Sequence, residues 1–409
     1  MTAPQITVEV SFPSTPSMAL FILDDPVKGL LDDPTYLLAA AETVIDITDT
    51  VQRVAIRRGR NRALDRFEPG RCAVQVLDLD GTWNPQNTSS MFYPNIQIRR
   101  QLRVSASMNG TGYVLFSGLL ESFGYDYDQS GNAAFITLEA SDVLSQFSQL
   151  NLSTVAGASA GQLSGARIGN ILDTLGGTIA TTDRNIDTGT ATLLADPATT
   201  RTGLDAIQTV VDSEFGAFFV QGDGSLRFAD RYTLMQQSQL VDATFSSVSA
   251  AIGYLNARLA FDDTLLTNDC TVTPTGLTAQ NATNTTSQNS FGKRSVTRND
   301  LLMNTTTEAF NQATYIVSLR NTPALRVESI ELDTWSGDDQ AQQALGLDLL
   351  DGIVLEHDHV GTTMTFQASV QGVEHDISPG SWRTRLMLAE AYPGFVLDYS
   401  ALDVGILTY

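Results

Sequence analysis

The chain has 409 residues, 42% apolar and 17% charged, with 46 acidic against 24 basic side chains and a formal net charge of −22. That length exceeds one compact core and that composition excludes a disordered chain, so roughly two to four domains are expected. No run of about 18 apolar residues occurs, which excludes a membrane-spanning helix, and the acidic bulk argues against gripping nucleic acid, which needs Lys and Arg turned toward phosphate.

Residues 1–48 read as an N-terminal arm. Its start, "MTAPQITVEVSFP", has no basic region followed by an apolar one, so no signal peptide is read. Further on, Leu-Asp-Asp-Pro is written twice, placing Asp24, Asp25, Asp32 and Asp33 ahead of prolines. Such carboxylate pairs could hold a cation or solvate turns. Proline disfavours helix in the residue before it and Asp before Pro is a common turn device, so the four are read as shaping and orienting the arm.

Residues 49–150 read as a β domain, the first of two expected barrels. "VQRVAIRRG" and "CAVQVLDLDG" alternate or run apolar at strand length, broken by Gly59, Gly70 and Gly81. "LRVSAS", "YVLFSGLLESFGYDY" and "AAFITLEAS" continue the meander, with a hairpin turn at Asn109-Gly110. Residues 51–103 also hold 10 of the 24 basic residues and 4 acidic ones, leaving 14 basic against 42 acidic elsewhere. Within that segment Arg57, Arg58, Arg60 and Arg62 cluster. They could bind phosphate, but pairing with acidic neighbours, within the chain or across a subunit interface, is the favoured reading.

Residues 151–235 read as a small α/β domain. "ARIGNILDTLGG" spaces Ile168, Ile171, Leu172 and Leu175 as one helical face, and "RTGLDAIQTVVDSEFG" does the same with Leu204, Ile207 and Val211, with Gly216 as C-cap. A hairpin turning at Gly222-Asp223-Gly224 follows.

Residues 236–409 read as the second barrel, with inserted helices and a loop. The stretch 271–290 is rich in Thr, Asn and Ser and is expected to be a loop or solvated edge, with 275–290 the best candidate for a moving part. Thr305 and Glu308 spell a capping box for a helix that stops before Pro323. The order of strand, Gly-x-x-Glu, polar turn and strand in 114–141 returns in 364–391, a faint echo that suggests two related barrels.

His357, His359 and His375, all three histidines, fall within nineteen residues near Glu356, Asp358 and Glu374. Alternation puts His357 and His359 on one strand face, which can build a metal site. Strand histidines are more often surface or hydrogen-bonded residues and no HExxH helix accompanies them, so no metal is expected. Cys72 and Cys270 form neither a disulfide framework nor a ligand cluster. No nucleophile elbow or Walker loop is present, so neither an enzyme nor a cofactor is expected.

The ordered set "LLDDPTY", "VQRVAIRRGRNRALDRFEPGRCAVQVLDLDGTWNP", "LFSGLLESF", "LEASD", "SEFGAFFVQGDGSLRFADR", "SFGKRS" and "VQGVEHDISPGSWRTRLML" resembles minor tail proteins of long-tailed phages, especially those infecting actinobacteria. The resemblance covers about residues 20–390 and points to the tail-tip, or baseplate hub, class. It implies a mainly β fold with two related tail-tube-like β-barrel domains and intervening α/β elements. It further implies a homotrimer whose six barrels match the tail tube. Expected partners are the distal tail ring, the tail tube and other minor tail proteins or fibres, with DNA only as passing cargo and no stable membrane binding. The expected location is the distal end of the virion tail, after synthesis in the host bacterial cytoplasm. The chain ends at Tyr409 without the long extension some hubs carry, so a fused peptidase, lysin or receptor-binding domain is not expected. A receptor- or carbohydrate-binding tail protein, and a metal-dependent hydrolase using the three histidines, are the alternatives.

Overall fold

The computed structural model describes residues 3–12, 43–62, 65–127, 129, 133–176, 180–248 and 251–391. The chain is mainly β and divides into two compact units. One comprises Met1–Ile56, Arg71–Asp142 and His375–Trp382; the other comprises Arg57–Gly70, Val143–Glu374 and Arg383–Tyr409.

In the first unit five antiparallel pairings order the strands as Thr43–Asp46, Gln5–Phe12, Gln101–Met108, Thr111–Tyr127, Ala134–Ser141 and Glu68–Asp78. Alternation drives this. Along Gln101–Met108 every second residue (Leu102, Val104, Ala106, Met108) is buried, and along Glu68–Asp78 so are Cys72, Val74 and Val76. The Asn109-Gly110 turn has φ of +50° and +82°, the doubly positive geometry that suits a two-residue hairpin. The strand order is an open path: Glu68–Asp78 pairs onward with Val51–Gly59, and among the described residues no pairing of Thr43–Asp46 leads back to either strand. Alternation in a sequence reports which face is buried, not whether a sheet closes, so the expected barrel closure goes beyond what these strands display.

Among the described residues of the second unit three cores stand out. The first lies under strands Asn256–Ala260, Arg326–Asp333 and Ser381–Glu390, antiparallel in that order, and under Gly352–His359, which pairs with Thr362–Ser378 and, in parallel, with Ala243–Ser246. Phe245, Ile330, Ile353, Val370 and Leu386 fill it. The second joins helices Ser164–Thr174 and Gly203–Glu214 to the hairpin Ala217–Val220/Leu226–Ala229 through Ile168, Ile171, Ile207 and Phe228. The third packs helix Thr306–Arg320 on strands Asp269–Pro274, Gln280–Thr283 and Ser295–Leu301.

That third core sharpens the expectation of a loop or solvated edge for 271–290. The stretch is strand, turn, strand and helix Thr285–Phe291, so it is no loop, while Gln280–Thr283 is an edge strand with no buried residue. Cys270 and Val272 are buried at alternate positions, and Asn284 caps the helix by accepting from the Ser287 amide at 2.9 Å. Its polar residues hydrogen-bond the backbone, so polarity here marks caps and ladders, and Ser287 is the one buried residue within 275–290. Thr305 accepts from the Glu308 amide at 3.2 Å, but the Glu308 carboxylate faces the Thr192 amide, leaving the capping box half made.

Two glycines mark close approaches. Strand Val51–Gly59 ends where Gly59 takes φ +98°, and a Cβ there would stand 2.3 Å from the Gln371 carbonyl oxygen. Gly59→Ala should therefore cost about 2–4 kcal/mol, from backbone strain and displaced chain together, as read from urea unfolding. At Gly216 a Cβ would come 2.6 Å from the Ala229 oxygen. The left-handed C-cap expected there falls instead on Phe215, at φ +62°. Gly216 serves the approach of the hairpin, and Phe215 carries the turn.

Candidate functional site

The arginine cluster divides by burial. Arg58 is 5% exposed and donates from Nη1 to Asp348 Oδ1 at 2.8 Å. Arg60 is 7% exposed; its Nε donates to Gln371 Oε1 at 2.8 Å, its Nη1 to the Asp65 carbonyl at 2.9 Å, and its guanidinium lies 4.4 Å from the Phe67 ring centre. Arg57 and Arg62 reach the surface, Arg57 beside Glu374 at 3.5 Å and bonded to Asn61, Arg62 in the lining of a cavity of about 390 Å³. Arg258, Arg320, Arg326 and Arg385 line that cavity with Glu328, Glu374 and Glu390, and the two signs pair off: Arg258 and Arg326 with Glu328 at 3.0 Å each. Asp24, Asp25, Asp32 and Asp33 lie outside the described residues.

Behind Arg58 stand more carboxylates. Asp348 also accepts from the Leu349 amide, Asp351 Oδ2 accepts from the Asp348 amide at 2.8 Å, and Asp242 accepts from the Gly352 amide at 2.9 Å. Burial first, then the charges of Asp242 and Asp348, push the Asp351 carboxyl up to about 7.

Another buried carboxylate belongs to Glu214, 0% exposed at the end of helix Gly203–Glu214. It accepts from Ser164 Oγ (2.7 Å), the Thr190 amide (3.0 Å) and hydroxyl (2.8 Å), the Ala191 amide (2.7 Å) and Arg231 Nε (3.0 Å). Burial alone would raise its pKa, but Arg231 and these donors outweigh it and hold the carboxyl below its usual range. The arrangement staples helix Ser164–Thr174, the 187–191 turn and helix Arg231–Gln239 together. Every lone pair is engaged, which suits a structural brace and leaves no room for acid–base work.

A cavity of about 220 Å³ lies beside Phe215. Asp212 at its wall holds both Arg66 (2.7 Å) and Arg298 (2.8 Å), and Arg66 also donates to Gln208 at 2.9 Å. The Arg298 guanidinium lies 5.4 Å from the Phe215 ring, which meets Tyr315 edge-on at 5.7 Å.

The histidines do not converge. His357 Nδ1 is hydrogen-bonded with the Tyr254 hydroxyl at 2.6 Å, His359 is exposed at its strand's end, and His375 is buried against Trp382, whose indole N–H lies 3.4 Å from Nδ1. Among the described residues no three His, Cys, Asp or Glu side chains stand close enough to hold a metal ion. Trp83 and Trp382 are 2% and 1% exposed, core residues both, whereas Trp335 is 43% exposed. No described helix is long and apolar enough to cross a membrane.

No family model and no curated protein matches this sequence. Solved structures do match. A tail protein from Neisseria meningitidis MC58 superposes with a TM-score of 0.58 at 12% identity, covering 95% of this chain and 96% of that one. The 43 kDa tail protein of prophage MuSo2 from Shewanella oneidensis gives 0.58 at 10% identity, over 85% and 96%. A chain of a lidless PdpA–VgrG complex gives 0.50 at 8% identity, over 97% of this chain and 66% of that one. The fold is similar to that of these two tail proteins. At these identities the likeness is one of fold, and no residue of the sites above is carried across by it.

Proposed function

We propose that the chain is a structural component of a phage tail, sited at the tail tip, where it acts as a hub that closes the tube and organises the distal tail. The observation that carries this is the match to two tail proteins over nearly their whole lengths, which leaves little of either fold unaccounted for. The buried ionic groups fit the same reading, because Glu214 and Arg58 are saturated or enclosed as braces. Three copies would form a ring, joined to the tail tube, a distal ring and fibres or other minor tail proteins. The acidic surplus outside residues 51–103 would line a channel that repels the DNA backbone, letting the genome pass without binding. Within the ring Arg57 and Arg62, at the surface, are the members of the arginine cluster available to a neighbour, Arg58 and Arg60 being buried, and Asp24, Asp25, Asp32 and Asp33 of that neighbour are the acidic counterparts this reading assigns to them.

Gold-labelled antibody against the chain, applied to tailed particles from cells that make it, tests the location. Label confined to the end of the tail distal to the capsid is expected. Label on the capsid or along the whole tail, or its absence from particles, would overturn the reading.

A further inference from the structure

The first unit carries an excursion, residues 79–100, between strands Glu68–Asp78 and Gln101–Met108. It is held rigidly. Asp78 accepts from the Thr82 and Trp83 amides at 2.9 and 3.0 Å, and buried Phe92 lies 4.9 Å from the Trp83 ring and stacks on Phe12 at 5.0 Å. Yet this anchored segment turns Leu79, Met91, Tyr93 and Ile98 outward, at 64%, 76%, 42% and 56% exposure, next to exposed Arg99. The adjoining Tyr125 donates to the Trp83 carbonyl at 3.0 Å and stacks on Tyr127, itself 59% exposed. Rigid Met, Tyr and Arg without lysine is the composition of an interface centre, since these side chains bury much area and lose little entropy.

The second unit presents the complement. In the turn after strand Arg326–Asp333, Trp335 stands exposed, its amide fixed by Asp333 Oδ1 at 3.2 Å. Asp338 and Asp339 follow, exposed at the start of helix Asp338–Gly346. One aromatic with two carboxylates answers exposed apolar side chains and the exposed Arg99 in chemical type and charge.

We propose that the 79–100 excursion of one copy receives the Trp335–Asp339 turn of a second copy. The contact is heterologous, joining different surfaces on the two copies, and such contacts repeat head to tail and form a ring where the rotation between copies closes. In expecting a ring it rests on the tail-hub reading. Charge favours a second copy as occupant, because the chain outside residues 51–103 carries 42 acidic against 14 basic residues.

Light scattering of the full chain over a concentration series tests it, with thermal melts confirming that each variant folds. The wild type should self-associate. Met91→Asp, Trp335→Ala, Arg99→Glu and Asp338→Arg should each weaken association by about tenfold or more. Arg99→Glu combined with Asp338→Arg in one chain should recover much of the loss, because each contact then regains one opposite pair. A wild type monomeric throughout, folded variants that associate as the wild type does, or a combined variant no better than its parents would overturn the contact. Tail-tip gold label with unaffected variants would sink this contact alone; successful recovery with no label on tails would sink the tail reading alone.

Discussion

Glu214→Ala should lose about 3–5 kcal/mol of unfolding free energy, the cost of leaving a buried ionic partner uncompensated. The loss has two sources. The Arg231 guanidinium is stranded beside a hole, and the Ser164 hydroxyl and the Thr190 and Ala191 amides lose their acceptor where water does not readily replace it. Glu214→Gln keeps the shape but gives up the charge, so it should lie between wild type and alanine. The pH dependence carries a definite sign. Because the folded carboxyl titrates below its ordinary range, the unfolded chain binds the proton first as pH falls, and this contribution drains away on the acid side. Urea unfolding of wild type and Glu214→Ala at neutral and acid pH checks both points: the gap between them should narrow as pH drops. An alanine variant as stable as wild type at neutral pH would mean that the five bonds contribute nothing net.

Much of this fold could be read from the chain, because local rules set it. Ile168, Ile171 and Leu172 are 0–3% exposed at their helical spacing, and Asn109-Gly110 turns where its residue types allow. What escaped was set by distance along the chain. Glu214 meets Ser164, Thr190 and Arg231, 50, 24 and 17 positions away, and no window reveals that convergence. A signal did exist: Glu214 stands seven residues after Ile207, on the apolar face, where a carboxylate must find donors. Nothing local separates Arg58 and Arg60 from Arg57 and Arg62, yet Gly59 lets the chain pass so closely over Gln371 that the first two end inside. In 271–290, Thr and Asn masked an alternation that Cys270 and Val272 had already begun.

Asp351→Asn should make the protein more stable at pH 8, by about 2–4 kcal/mol, and leave it nearly unchanged near pH 4. Asp351 sits half-buried with Asp242 and Asp348 as like-charged neighbours, and Arg58, the cation of this cluster, is already bonded to Asp348. Its folded carboxyl therefore titrates near 7, whereas an unfolded aspartate releases its proton near 3.8. Between those values the folded state holds a proton that the unfolded state has given up, so each step upward in pH favours unfolding. The contribution is whole below about pH 4 and gone above pH 7, the opposite slope to that of Glu214. Asparagine can still accept from the Asp348 amide through its carbonyl oxygen and cannot ionise, so it should behave as the protonated acid at every pH. Urea midpoints across pH 4–8 provide the check. Parallel curves for the two proteins would show that Asp351 is ionised throughout, and that Arg58 screens the three carboxylates more strongly than their burial isolates them.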